Sequence, residues 1–147
     1  MIKRMMIIAT VLVFFWGCSQ QPQQKLIGSW VVDYTETFKT IKNSEVWNEL
    51  DEMEREMFPD ILEEMTGSMT ITIKENEMIT QIGNELINVD YRIESESGNE
   101  IVTIAYIEGD EATLTFRILE NNLMMFTSDK TNDMDFLVWK RDLMHKI

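Results

Sequence analysis

The chain of 147 residues has one cysteine, one histidine and half as many basic side chains as acidic ones, 13 Lys and Arg against 26 Asp and Glu. Each scarcity excludes something. A single cysteine, Cys18, rules out an internal disulfide, and a single histidine, His145, rules out a Cys/His zinc cluster. The same counts disfavour Ser–His–Asp and Cys–His nucleophile systems. The net charge of −13 supplies no basic footprint for phosphate, so nucleic acid is not expected as a partner, and an anionic membrane surface would repel the folded part. No stretch has the glycine-containing spacing of a calcium loop. No cofactor is expected, and no catalytic constellation is visible, so the chain does not read as an enzyme. What remains is an ordinary share of hydrophobic residues, 44%, in a length that suits one domain with a real core.

The apolar residues are unevenly spread. Residues 1–4 carry Lys3 and Arg4, and residues 5–16 (MMIIATVLVFFW) carry no charge, the n-region and h-region order of a secretory signal. As a helix, Met5 to Cys18 would rise roughly 21 Å, short of the about 30 Å of a hydrocarbon core. The run ends at Gly17–Cys18. The stretch FFWGC resembles the lipobox of bacterial lipoproteins, in which a small residue precedes a cysteine that is acylated and becomes the mature N-terminus. That resemblance implies a signal peptide over 1–17, lipid on Cys18 and attachment to a membrane of the bacterial cell envelope. Ser19 in place of Asp favours, by resemblance to enterobacterial sorting, the outer membrane over the inner. Residues 18–25 then read as the lipidated cysteine and a flexible polar tether, leaving 26–147 as the folded domain.

Periodicity organises that domain. LIGSWVVDYTETFKT (26–40) alternates with Trp30, Val32, Tyr34 and Phe38 on one face and is expected to be a strand. In 43–65 the period changes: Val46, Leu50, Met53, Met57, Ile61 and Met65 form a helical stripe that Trp47 and Leu62 widen, with Ser44 as N-cap and a kink or break expected at Pro59. From 68 onward the chain reads as seven strands joined by turns and loops, with tight turns at Gly83–Asn84 and Gly109–Asp110 and loops at SESGN (95–99) and DKTND (129–133). The expected fold is mainly β, an eight-stranded antiparallel up-and-down barrel with one helical segment between strands 1 and 2, because closure buries the apolar face and removes exposed edges. The helix is expected to lie across an opening of the barrel with its acidic face in water.

A Gly-x-Trp in the first strand, Gly28 and Trp30, followed by an antiparallel meander, resembles the lipocalin superfamily and especially lipocalin-like domains of bacterial lipoproteins. In such barrels the first-strand Trp packs at the closed end against a basic residue on or after the last strand, a role that Lys140 or Arg141 fits here, with a cation over the indole face. The helical segment also resembles the portal helices of fatty-acid-binding proteins, but their Arg-x-Tyr in the last strand is replaced by Leu137 and Trp139, so their carboxylate site is not carried over.

Other candidates have two readings each. The acids of the helix (Glu45, Glu49, Asp51, Glu52, Glu54, Glu56, Asp60, Glu63 and Glu64) are a solvated face, or a surface for a basic partner or a weakly held divalent cation. Arg117 faces solvent across a strand pair, or a polar cavity. Nine methionines after residue 17 fill the core, or line an adaptable pocket. Two functions follow: a tethered, non-catalytic binder of a small apolar ligand, or an interaction module with a filled barrel and an acidic docking helix. The anchor is tested first. Cys18→Ser is expected to move the protein from the membrane to the soluble fraction, and mass spectrometry of the extracted wild type should find a lipid-modified Cys18 without residues 1–17. An intact precursor with an unmodified thiol would refute the anchor.

Overall fold

The computed structural model describes residues 22–131 and 135–144. Cys18, the apolar run before it and His145 lie outside the described residues. Among those described, eight strands close into an antiparallel barrel in chain order: β1 Gly28–Val32, β2 Met69–Ile73, β3 Glu77–Ile82, β4 Glu85–Ser97, β5 Glu100–Ile107, β6 Asp110–Ile118, β7 Leu123–Ser128 and β8 Trp139–Arg141. The seam is made by β8, which pairs with β1 through Trp30↔Arg141 and Val32↔Trp139 and with β7 through Met124↔Trp139. Four helices accompany it: α1 Pro22–Leu26, α2 Tyr34–Lys42, α3 Glu45–Glu49 and α4 Glu52–Thr66. No helix among the described residues is long and apolar enough to cross a membrane.

The strand periodicity holds because one face of every strand must be dry. Trp30, Val32, Met69, Ile71, Ile73, Met78, Val89, Tyr91, Ile101, Leu114, Phe116, Met124 and Trp139 all sit in one core cluster. The turns follow from backbone sterics. Gly83 has φ +58° in the two-residue turn between β3 and β4. The β5–β6 turn is Glu108–Gly109, one residue earlier than expected, with both residues at positive φ (54° and 91°) as the favoured hairpin twist demands. Residues 95–99, expected to be a loop, extend β4 to Ser97 beyond a register shift at Ile93/Ser95 and leave only Gly98–Asn99 as the turn.

The segment between β1 and β2 differs most from expectation. The first strand stops at Val32, and Tyr34 and Phe38 belong to a helix, not to a strand. The reason is Asp33, whose carboxylate accepts the Glu36 amide at 3.0 Å and so caps α2. The helix is then stitched to the approach to β8. The buried Thr37 hydroxyl accepts the Val138 amide (2.9 Å) and donates to the Val138 carbonyl (3.3 Å), which also accepts the Asp33 amide (2.8 Å).

The break expected at Pro59 occurs instead at Leu50–Asp51. Asp51 forms a reciprocal capping box with Glu54, each accepting the other's amide at 2.8 Å, so a new helix starts there and runs through Pro59 to Thr66. Ser44 stands at the N-cap position of α3 but makes no capping bond; its hydroxyl donates to the Ile41 carbonyl. Rings tie the three helices together: Tyr34 stacks on Phe38, Phe38 meets Trp47 edge-on at 5.6 Å, and Trp47 meets Phe58 at 5.8 Å. Arg55 donates to the Trp47 and Asn48 carbonyls at the end of α3.

Thr37 offers a clean test. Thr37→Val keeps the shape but strands the Val138 amide, and is expected to cost about 1–3 kcal/mol in denaturant unfolding. Thr37→Ser, which keeps the hydroxyl, should cost clearly less; equal losses would show that the hydroxyl does not carry the contact.

Candidate ligand cavity and the closed end

The two ends of the barrel are built differently. At one end Leu26, the last residue of α1, is fully buried beneath Trp30. A helix end leaves carbonyls without intrahelical partners, and here the last turn is satisfied by side chains of the barrel. The Trp30 indole N–H donates to the Leu26 carbonyl at 2.9 Å, and the Arg141 guanidinium donates to the Ile27 carbonyl at 2.7 Å and to the Lys25 carbonyl. The same guanidinium lies over the Trp30 ring, 4.4 Å from its centroid. Partial burial pushes the Arg141 pKa below its ordinary value. The indole face and the two carbonyls offset that desolvation.

Gly28 completes the lock. Its φ of +147° disfavours a side chain, and a Cβ there would lie 2.4 Å from Arg141 Nη1. Of the two cations that the sequence offered, Arg141 takes the position on Trp30, while Lys140 points to the opposite face, with Nζ 3.5 Å from the Asp33 carboxylate. The polar stretch expected to be a tether through Lys25 is helical from Pro22, held by these contacts.

Above this plug the core is dense. Phe116, Phe126 and Trp139 form a run of rings with centroids 5.4 and 5.9 Å apart. Among the described residues the buried Trp139 indole N–H has no hydrogen-bond partner, a deficit of about 1–3 kcal/mol. Tyr91 anchors the β2–β3 turn by donating to the Lys74 carbonyl at 2.5 Å; burial, with Glu75 nearby, raises its pKa.

Toward the other end, inward positions carry smaller side chains, notably Thr80, Val89 and Ser128, and the interior is not filled. A cavity of about 200 Å³ remains, walled by Ile71, Met78, Ile82, Ile87, Leu114 and Phe126, with Ile107 at its edge. Its polar groups are few: Thr80, Ser128, Thr131 and the Asp135 carboxylate. Ile87 and Ile107 are 42% and 37% exposed, which places them at the mouth. A larger groove of about 620 Å³ lies between Ile41, Val46, Phe58 and Phe136, but it is open to solvent. The barrel cavity is the better candidate because its apolar walls surround a guest and remove it from water.

Two expectations are corrected here. Among the described residues no helix side chain lines the barrel cavity, so the helical segment is not part of its wall. The apolar stripe read from the sequence does not face the barrel either. Val46, Met53, Met57, Ile61 and Met65 are 39–65% exposed; of the expected stripe on α4 only Leu62, at its edge, is buried, together with Thr66 one turn on. Arg117 faces solvent beside its cross-strand neighbour Glu100, at 3.4 Å. Among the described residues no three His, Cys, Asp or Glu side chains assemble as metal ligands. Thr37, Asp33 and Leu26 were not singled out by sequence. Asp33-x-x-Glu36 has the N-cap spacing that would have revealed α2.

The closed-end lock predicts coupling. Arg141→Leu is expected to cost about 2–3 kcal/mol by stranding carbonyls and removing the cation from the ring. Arg141→Lys keeps the charge but not the two-pronged donation, and should fall between wild type and Arg141→Leu. Gly28→Ala should destabilise through the same guanidinium, so its cost should shrink in the Arg141→Leu background; strict additivity in a double-mutant cycle would refute the shared contact.

In comparison with known proteins, no family model matches this chain and no curated protein is similar to it.

Proposed function

We propose that the protein is a lipid-anchored, lipocalin-like protein of the bacterial cell envelope that holds a small apolar molecule in its barrel without catalysing a reaction. The observation that carries this reading is the apolar cavity of about 200 Å³ inside a closed barrel. An apolar cavity of about 150 Å³ accommodates a benzene ring, so the guest is of the size of a substituted aromatic ring or a short branched chain. The carboxylate of Asp135 at the rim opposes an anionic head, which favours a neutral or cationic guest and disfavours a fatty acid. The family resemblance is supported by Arg141 over Trp30 beside Gly28, the arrangement that it implied.

The anchor fits the geometry of the closed end. Only Ser19, Gln20 and Gln21 separate Cys18 from α1, and four extended residue steps reach roughly 14 Å. Lipid on Cys18 therefore sets the α1 end toward the membrane and turns the cavity mouth away from it, where a guest is exchanged with the surrounding fluid. The outer membrane is favoured by Ser19.

The test uses tryptophan emission, since Trp139 packs on Phe126 and Phe126 walls the cavity. Neutral aromatic probes of one ring are expected to change the emission saturably, and extraction of the purified protein should release a co-purifying apolar molecule. Thr80→Phe together with Ser128→Leu, which fill the cavity, should weaken probe binding at least tenfold while the barrel circular dichroism is retained. Absence of both saturable binding and a co-purifying molecule would overturn the proposal.

A further inference from the structure

Helix α4 carries a second surface, independent of the cavity. Met53, Met57, Ile61 and Met65 recur every four residues and are 65%, 52%, 54% and 39% exposed. Immediately before each stands a carboxylate: Glu52, Glu56, Asp60 and Glu64. At 3.6 residues per turn this repeat makes two parallel stripes about 100° apart, one apolar and one anionic, running about 18 Å along the helix. The helix has no structural need for the apolar stripe, because its buried contacts are made by Leu62 and Thr66 on another face.

The anionic stripe is equally unpartnered. Among the described residues no ion pair involves these four carboxylates. The one basic residue of the helix, Arg55, is spent on the Trp47 and Asn48 carbonyls. An exposed apolar row of this kind marks an interaction surface, and methionine suits one that adapts to its partner.

Charge decides what covers it. A second copy would bring carboxylates against carboxylates on a chain of net charge −13, and an anionic lipid surface would be repelled in the same way. We infer that the α4 stripe docks a cationic amphipathic helix of another protein, whose apolar side chains at four-residue spacing pack on Met53, Met57 and Ile61 while its Lys or Arg side chains meet Glu56, Asp60 and Glu64. The apolar row supplies affinity, and the carboxylate row selects the partner's sign and orientation.

The probe is a synthetic 14-residue peptide with leucines at four- and three-residue spacing and flanking lysines. It is titrated against the full chain in phosphatidylcholine nanodiscs, with empty discs as the blank. Saturable binding, with shifts of the Met53, Met57 and Met65 methyl signals, is the expected result. Met57→Ser with Ile61→Ser should weaken it at least tenfold; both side chains are exposed, and the thermal melt checks that folding is unchanged. Glu56→Gln, Asp60→Gln and Glu64→Gln together should weaken it three- to tenfold and flatten its salt dependence. Full affinity in either variant, or equal binding of a peptide with glutamate in place of lysine, would overturn the inference. So would methyl shifts caused by the lipid alone, or a dimer that Met57→Ser and Ile61→Ser dissolve, since the occupant would then be lipid or a second copy.

Discussion

The position of one guanidinium holds this barrel together. β8 is three residues long and offers its neighbours a short ladder, so backbone hydrogen bonds alone would close the seam weakly. Arg141 reinforces it from inside. It lies on the Trp30 ring of the adjoining strand and donates to the carbonyls of Lys25 and Ile27, which fastens the segment before β1 across the end of the barrel. Gly28 fits this contact, since its φ of +147° disfavours a side chain and a Cβ there would crowd the guanidinium. Seam, plug and entry to the first strand thus meet at a single cation.

The opposite end is free to differ because nothing comparable fills it. Large rings occupy the middle of the barrel, and the inward positions above them are taken by Thr80, Val89 and Ser128, which leave a void. The helices connecting β1 to β2 could have filled or covered that void. They pack on one another through an aromatic ladder and are attached near β8 through Asp33 and Thr37. The outcome is a molecule with an apolar space inside the mouth of the barrel and, on α4, an apolar row in the open. The two surfaces make different chemical demands on whatever meets them.

Much of this was legible in the sequence, for a physical reason. A strand with one dry face writes its orientation at every second residue, so the inward sets of β2, β4 and β6 could be read directly, whereas the apolar runs of β5 and β7 carry no such alternation. Capping is also local: Asp33-x-x-Glu36 and Asp51-x-x-Glu54 mark the two helix starts by spacing alone. They were outweighed by a chance alternation through Tyr34 and Phe38 and by the presence of Pro59. Proline removes one intrahelical hydrogen bond, a cost that a well-capped helix packed on α2 tolerates.

By itself, then, the sequence determined the mainly β class, the meander order and the inward side chains of β2, β4 and β6, while the pairing of a first-strand tryptophan with a cation near the C-terminus was what the family resemblance implied. Tertiary structure alone decided which of two adjacent cations takes that place. Residues 140 and 141 point to opposite faces of a strand, and only the register with β1 puts Arg141 inside. It alone decided that a cavity remains, since an apolar inward face describes a packed barrel as well as a hollow one. And it alone decided which side of α4 is buried. A helix carrying Leu62 beside Ile61 can turn either residue to the core, and the attachment of its neighbours, not its own periodicity, sets that rotation.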